Sequence, residues 1–197
     1  PGETCCVEPI GLRSLGVDTW LLSAARLLSI AESGDKDILT LCNGCAMSLQ
    51  EANHLLQDRE VRERTNAALE PIGREYQGTT RVLKLMEVLH QRKEKVKSLV
   101  TVPQDQLRVV AHPGCHLLRP SGMGGFDRPF RPRALSEMAR VTGAEVAHSE
   151  DWPRCCGGTL SGVDDRLSSA ILSETARSFQ GSNANAILTP CPFCFFQ

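Results

Sequence analysis

An excess of charge of either sign is missing from this chain. Lys and Arg total 22 against 23 Asp and Glu, a formal net charge of −1. That balance excludes a bulk electrostatic pull toward nucleic acid or an anionic membrane surface. Long apolar runs are missing too, and nothing approaches the roughly 20 residues that span a bilayer. No signal-peptide pattern opens the sequence, and the first residue is Pro1 rather than an initiator methionine. What remains is ordinary globular composition over 197 residues, long enough to bury a core in one or two domains.

Against that plain background stand nine cysteines. Cys5 and Cys6 are adjacent, and Cys42 and Cys45 follow as C-N-G-C. Cys155 and Cys156 are adjacent, and Cys191 and Cys194 follow as C-P-F-C. The gaps between pair and C-x-x-C are 35 and 34 residues. Cys115 stands outside this symmetry. The repeat is wider than the cysteines, because Ile38–Cys45 and Ile187–Cys194 both read I-L-T-x-C-x-x-C at an offset of 149 residues. A duplicated domain explains this, with one repeat over 1–103 and the second over 104–197. The counterpart of Cys115 would fall about 35 residues before Pro1. The chain also stops three residues after Cys194. Both repeats are therefore expected to lack a part, the first at its start and the second at its end.

A secreted disulfide framework does not suit this pattern. The cysteine count is odd, the chain is not small, and adjacent cysteines meet disulfide geometry only with strain. Thiolate–metal chemistry in the cytoplasm is the expectation. Two thiolate-rich sites in one chain point to soft metal centres and electron chemistry.

The pattern between the cysteines alternates helices and strands. Asp18-Thr19 is expected to cap a helix running to about Glu32, stopped by Gly34. Asp37 to Leu41 reads as a short buried strand, and a helix follows from near Cys45. Residues 58–76 read as a charged helix with Ala67, Ala68, Leu69 and Ile72 inward. Residues 82–99 read as one amphipathic helix with Leu83, Leu85, Met86 and Leu89 on one face. Pro103 to Gln106 marks a boundary, and Leu107 to Ala111 is the next strand. Residues 119–133 form a surface loop. Helices over 132–141 and 164–179 flank short strands at 145–147 and 186–189. This predicts an α/β fold of two pseudo-symmetric repeats, each a small parallel sheet flanked by helices. Each cysteine group then lies at or beside a strand C-terminal end, where ligands gather in open parallel sheets.

Counting sulfurs leaves the metal open. The second set has five: Cys115, Cys155, Cys156, Cys191 and Cys194. Tetrahedral zinc and a cubane cluster each take four. Five thiolates suggest an unusual centre with one sulfur bridging two irons, or one cysteine that is spare. Gly44, Gly157 and Gly158 leave backbone N–H groups free to approach sulfur.

The spacing Cys115-x39-Cys155-Cys156-x34-Cys191-x2-Cys194 resembles the cysteine-rich CCG motif. The duplicated arrangement is similar to the B subunit of heterodisulfide reductase. The local words agree: A-H-P-G-C-H-L-L-R-P at 111–120, C-C-G-G at 155–158, T-P-C-P-F-C at 189–194, and L-C-N-G-C at 41–45 with His54 beyond. The resemblance implies an oxidoreductase subunit that reduces or forms a disulfide at noncubane 4Fe–4S clusters, two of which face one another. It implies coenzyme M–coenzyme B heterodisulfide as substrate in methanogens, or lipoate-bound sulfur in sulfur oxidisers. It also implies two partners, the iron–sulfur C and the flavin A subunits of such a complex.

Carried over by residue, Cys115, Cys155, Cys156, Cys191 and Cys194 hold the second, noncubane cluster. Cys5, Cys6, Cys42 and Cys45 hold the first, which is noncubane, cubane or zinc. His116 is the candidate proton donor to a leaving thiolate, and Arg119 the candidate holder of a substrate carboxylate or phosphate. Support of the cluster from outside its ligands, or a histidine satisfied within the loop, is the plainer reading of these two positions. His54 and His90 read as structural helix residues. Phe193, Phe195 and Phe196 read as core or interface, with a dry wall around a cluster as the alternative. A different class of function is a non-catalytic electron-transfer or docking subunit with one cluster and one structural zinc.

Overall fold

The computed structural model describes residues 11–123, 125–147 and 154–197. The chain divides into two compact units, Pro1–Lys84 and Leu85–Gln197. Each unit holds a small, wholly parallel sheet.

The first unit begins with α1 (Gly11–Leu15) and α2 (Val17–Ser33). Gly16, not Asp18, is the residue that precedes α2, and Asp18 lies in its first turn. There its carboxylate favours the helix N-terminus without capping it. Gly34 ends α2, its N–H bonding back to the Ala31 carbonyl while the Asp35 N–H takes the Glu32 carbonyl. Strand β1 (Ile38–Thr40) leads into α3 (Asn43–Leu55). Asp58 then caps α4 (Arg59–Leu69) by accepting from the Val61 N–H, and a short 3-10 turn follows at Glu70–Ile72. Strand β2 (Val82–Lys84) closes the unit by pairing with β1, Thr40 opposite Lys84.

Two expectations fail in this stretch. The inward face of α4 is Thr65 and Leu69, while Ala67, Ala68 and Ile72 are exposed. Thr65 tolerates burial because its hydroxyl donates to the Val61 carbonyl at 2.8 Å. The single helix expected over 82–99 is instead β2 followed by α5 (Leu85–Gln91) and α6 (Lys93–Leu99). The core gathers Trp20, Leu28, Leu49, Leu56, Leu69 and Tyr76. Tyr76 donates to Asn53 Oδ1 at 2.7 Å, and Asn53 donates to the Thr80 carbonyl at 2.9 Å. Helix α3 is thereby tied to the approach of β2, so the element carrying Cys45 is fixed from its far end.

In the second unit, β3 (Arg108–Ala111) is followed by the single-turn α7 (Cys115–Leu118). Helix α8 (Ala134–Val141) leads to β4 (Glu145–Val146). A 3-10 turn at Gly158–Leu160 precedes α9 (Asp165–Phe179), then β5 (Ala186–Leu188) and α10 (Pro192–Phe196) complete the chain. The strand order is β4-β3-β5, so β3 is central. The 119–133 loop has an organising centre. The Asp127 carboxylate accepts from the N–H groups of Arg133 and Ala134, both at 2.8 Å, and so caps α8 from outside the helix. Met86, Leu117, Leu118, Leu135 and Met138 form the core beneath α7 and α8. Glu137 of α8 takes His90 of α5 at 3.0 Å and Lys93 of α6 at 2.9 Å, which gives His90 the structural role expected of it.

Candidate metal centre

Three elements deliver the five sulfurs of the second set. Cys115 opens α7 just past β3. Cys155 and Cys156 lie in the loop before the 3-10 turn. Cys191 stands at the N-cap of α10 after β5, and Cys194 lies within that helix. The thiols meet as one connected group. Cys115 bonds Cys155, Cys155 bonds Cys156, Cys156 bonds Cys194, and Cys194 bonds Cys191. Cys156 and Cys191 are buried and the other three are partly buried.

Backbone choice makes this convergence possible. Gly114 has φ of +73°, and a Cβ there would lie 3.3 Å from Cys191 Cβ and 3.3 Å from Cys194 Sγ. Only glycine both adopts that conformation freely and leaves room for the two sulfur-bearing residues. A Cβ on Gly158 would fall 2.7 Å from the Phe193 carbonyl and 3.3 Å from Cys156 Sγ. The expected amide approach to sulfur is present. Gly157 N–H reaches Cys155 Sγ and Gly158 N–H reaches Cys156 Sγ, each at 3.4 Å. Gly44 N–H likewise reaches the Cys42 sulfur.

The electrostatics are uneven around the group. Hydrogen bonds from the Cys115 and Cys156 thiols push Cys155 well below the ordinary thiol range, against burial and with help from Gly157 N–H and His116. Cys115 is pushed up by its bond to Cys155 and by burial. Cys194 is pushed up by its bonds to Cys156 and Cys191.

A layer of unanticipated residues holds the C-C-G-G loop. Thr175 Oγ1 donates to the Cys155 carbonyl at 2.7 Å, and Ser168 Oγ donates to the Gly157 carbonyl at 3.0 Å. Gln197 in turn donates to Ser168 Oγ at 2.8 Å. Ser168 and Thr175 are both buried and lie two turns apart on α9. Two hydroxyls at that spacing on an otherwise ordinary helix were the available signal. His116 is partly buried and stands edge-on to Phe193, ring centres 6.3 Å apart. Arg119 donates to the Pro129 carbonyl at 3.4 Å. Phe195 and Phe196 are exposed, edge to face at 5.3 Å.

In the first unit, Cys42 is the N-cap of α3 and Cys45 lies in its first turn. Their thiols are hydrogen-bonded, and that bond together with burial pushes Cys42 up. Cys5 and Cys6 lie outside the described residues. His54 is exposed on α3.

Among the described residues, no three His, Cys, Asp or Glu side chains close on a point that one metal ion would fill. The five thiols form an open chain, with Gly114 and Gly158 letting loop and helix approach closely. Five sulfurs exceed the four that one tetrahedral ion takes, and an all-sulfur donor set suits a multi-iron group.

Parallel sheets with cysteines at strand ends define a thiolate-rich α/β protein, and similarity to known proteins makes the class specific. The cysteine-rich domain model called CCG matches residues 1–50 and 109–197. A Methanosarcina acetivorans protein, named as the B subunit of a Ferredoxin/F(420)H(2)-dependent CoB-CoM heterodisulfide reductase, is 37% identical over 202 residues, covering 100% of this chain and 67% of that one. A heterodisulfide reductase B-subunit-like protein of Archaeoglobus profundus is 32% identical, covering 100% and 68%. The 8-methylmenaquinol:fumarate reductase membrane anchor subunit of Wolinella succinogenes is 32% identical, covering 98% and 64%. The chain belongs to the CCG cysteine-rich family that includes the B subunit of heterodisulfide reductase. Among solved structures, a hypothetical protein from Helicobacter pylori shares the fold, with TM-score 0.54 and 10% identity over 93% of this chain and 39% of that one. Among the described residues, no helix is long and apolar enough to cross a membrane.

Proposed function

We propose that the chain is the iron–sulfur subunit of a heterodisulfide reductase-like complex, reducing or forming a disulfide. The observation that supports this best is the joining of all five second-set thiols into one group at the strand ends. Cys115, Cys155, Cys156, Cys191 and Cys194 would hold a noncubane 4Fe–4S cluster. Cys42 and Cys45, with Cys5 and Cys6, would hold a second centre, either another cluster or zinc. When bound, the cluster would supply single electrons.

The net reaction adds two electrons and two protons to a disulfide, breaks the S–S bond and releases two thiols. His116, partly buried one residue past Cys115, would hold one of those protons. Arg119, two residues past α7's buried Leu117, would hold an anionic group of the substrate. Partners resembling the C and A subunits of heterodisulfide reductase would deliver electrons, and the complex would work in the cytoplasm. The relatives named for CoB–CoM heterodisulfide favour that substrate; lipoate-bound sulfur is the variant for a sulfur-oxidising host.

A second reading is an electron-transfer subunit without its own substrate. The Wolinella relative favours it, since that protein is named for a menaquinol:fumarate reductase. Anaerobic reconstitution of the full chain with iron and sulfide separates the two. A noncubane EPR signal that changes on adding a heterodisulfide, and is lost in C115S, supports the first reading. A signal that ignores every disulfide tested supports the second.

A further inference from the structure

Three buried side-chain atoms lack a hydrogen-bond partner among the described residues: Arg108 Nε, His112 Nε2 and Thr189 Oγ1. Two of these share one place. The last paired positions of β3 and β5 are Ala111 and Leu188, so His112 and Thr189 are the next residues on neighbouring strands. The His112 N–H donates to the Leu188 carbonyl at 2.9 Å, which fixes the two ends together. Cys115 and Cys191 follow within three residues of them. By contrast Thr40, at the matching I-L-T position of the first unit, donates its hydroxyl to the Leu83 carbonyl at 3.3 Å. The same word in the sequence is thus satisfied by protein in one unit and unsatisfied in the other.

His112 is the stronger case. It is 5% exposed, its ring stands edge-on to Phe179 at 5.7 Å, and it lies in electrostatic reach of Cys155. Leaving a buried imidazole nitrogen unpaired destabilises the fold. An apolar residue of similar size would avoid that cost, so the nitrogen at this position calls for a partner. With the five cysteines ligating as thiolates, the sulfur-rich side of the site offers acceptors only. A ring nitrogen that meets sulfur must therefore carry its proton and donate.

We propose that His112 donates a hydrogen bond from Nε2 to a sulfur of the metal centre held by the five cysteines, and so raises its reduction potential. His112 is then a positioning residue: it ligates no metal and touches no substrate. A donor to sulfur stabilises the reduced state, which carries one more negative charge. This inference rests on the iron–sulfur reading above, and its test separates the two.

The full chain is reconstituted anaerobically, and its iron, sulfide and midpoint potential are measured by EPR-monitored titration. His112→Phe keeps ring volume and removes the donor. It should bind the same iron and sulfide, with a lower potential. The reduced-to-oxidised ratio at fixed solution potential should fall about tenfold, which is about 59 mV for one electron. His112→Gln, which keeps an N–H donor, should recover part of the shift. An iron-loaded His112→Phe with unchanged potential overturns the proposal. Should His112→Phe fail to load, pulsed EPR on 15N-histidine-labelled protein decides. A weak 15N coupling should survive in His116→Gln and vanish in His112→Gln, and its absence from His116→Gln overturns the proposal. A parent chain that binds no iron at all sinks the underlying cluster reading instead.

Discussion

Trp20 donates its indole N–H to the hydroxyl of Ser48 at 2.8 Å, and both residues are sealed from solvent. The bond joins α2 to α3, the helix that begins at the first C-x-x-C. Arg13 lies over the Trp20 ring at 5.0 Å and pairs with Glu51 at 2.7 Å, so the junction is braced on two sides. Ser48→Ala strands the indole N–H in the core and should cost about 1–3 kcal/mol. Urea unfolding checks this. The double variant with Trp20→Phe should lose less than the sum of the two single changes, because the stranded group is then gone.

Thr175 acts in the same way on the second unit. Its hydroxyl holds the Cys155 carbonyl and leaves the thiol free to meet its neighbours. Thr175→Val keeps the shape and deletes the bond, at about 1 kcal/mol. Iron should leave the reconstituted variant faster under chelator challenge, while Thr175→Ser holds it like the parent. Equal release rates for Val and parent would show that the loop is held by other contacts.

Gly158→Ala tests packing rather than hydrogen bonding. Its new Cβ would press on the Phe193 carbonyl, between the two cysteines of the last C-x-x-C. Either the C-C-G-G loop or α10 must shift, at about 1–3 kcal/mol. Loss of iron binding together with a lower melting temperature is the expected result. Gly122→Ala, where nothing lies within 4 Å of the new carbon, is the matched control and should change neither.

Glu32 predicts a pH dependence remote from the sulfurs. Burial alone would lift its pKa. The Thr79 hydroxyl and the N–H groups of Gln77 and Thr79 more than offset this, and the net shift is downward from 4.5. A carboxylate with a lowered folded pKa contributes its stability in full above its unfolded pKa. It loses that stability as pH falls through the folded value. Glu32→Gln should therefore cost about 1 kcal/mol at pH 7, after allowing for partial exposure. The gap from the parent should narrow toward pH 3. A gap that stays constant with pH would mean that shape, not charge, matters there.

Much of this was legible in the sequence, for reasons that differ by residue. The strands before Cys42, Cys115 and Cys191 could be read because short apolar runs end at a cysteine and a helix start follows. Strand β2 could not. Its three residues carry Leu83 in helical register with Met86, and its inward-facing Lys84 is only 3% exposed. A buried lysine hides a strand because it breaks the apolar pattern that marks one. Asp127 escaped notice as a cap because it reaches α8 from six residues before Arg133, outside the usual capping distance. At the site, Cys42, Cys115 and Cys191 follow β1, β3 and β5, while Cys155 and Cys156 lie in the loop expected for C-C-G-G. Ser168 and Thr175 did not announce themselves, since hydroxyls on a helix read as solvent-facing until the loop they hold is known.

The glycine-lined meeting of two strand ends with the C-C-G-G loop has a consequence for making the protein. Each residue along a strand advances the chain by about 3.3 Å. A slip of one residue in β3 or β5 would carry Cys115 or Cys191 farther than an iron–sulfur bond is long. On the proposed reading the sheet would be a ruler for its cofactor, and a misregistered chain would have no way to close the thiol group. In any preparation, the fraction of chains that take up iron would count the fraction whose second sheet has zipped correctly, read out as colour.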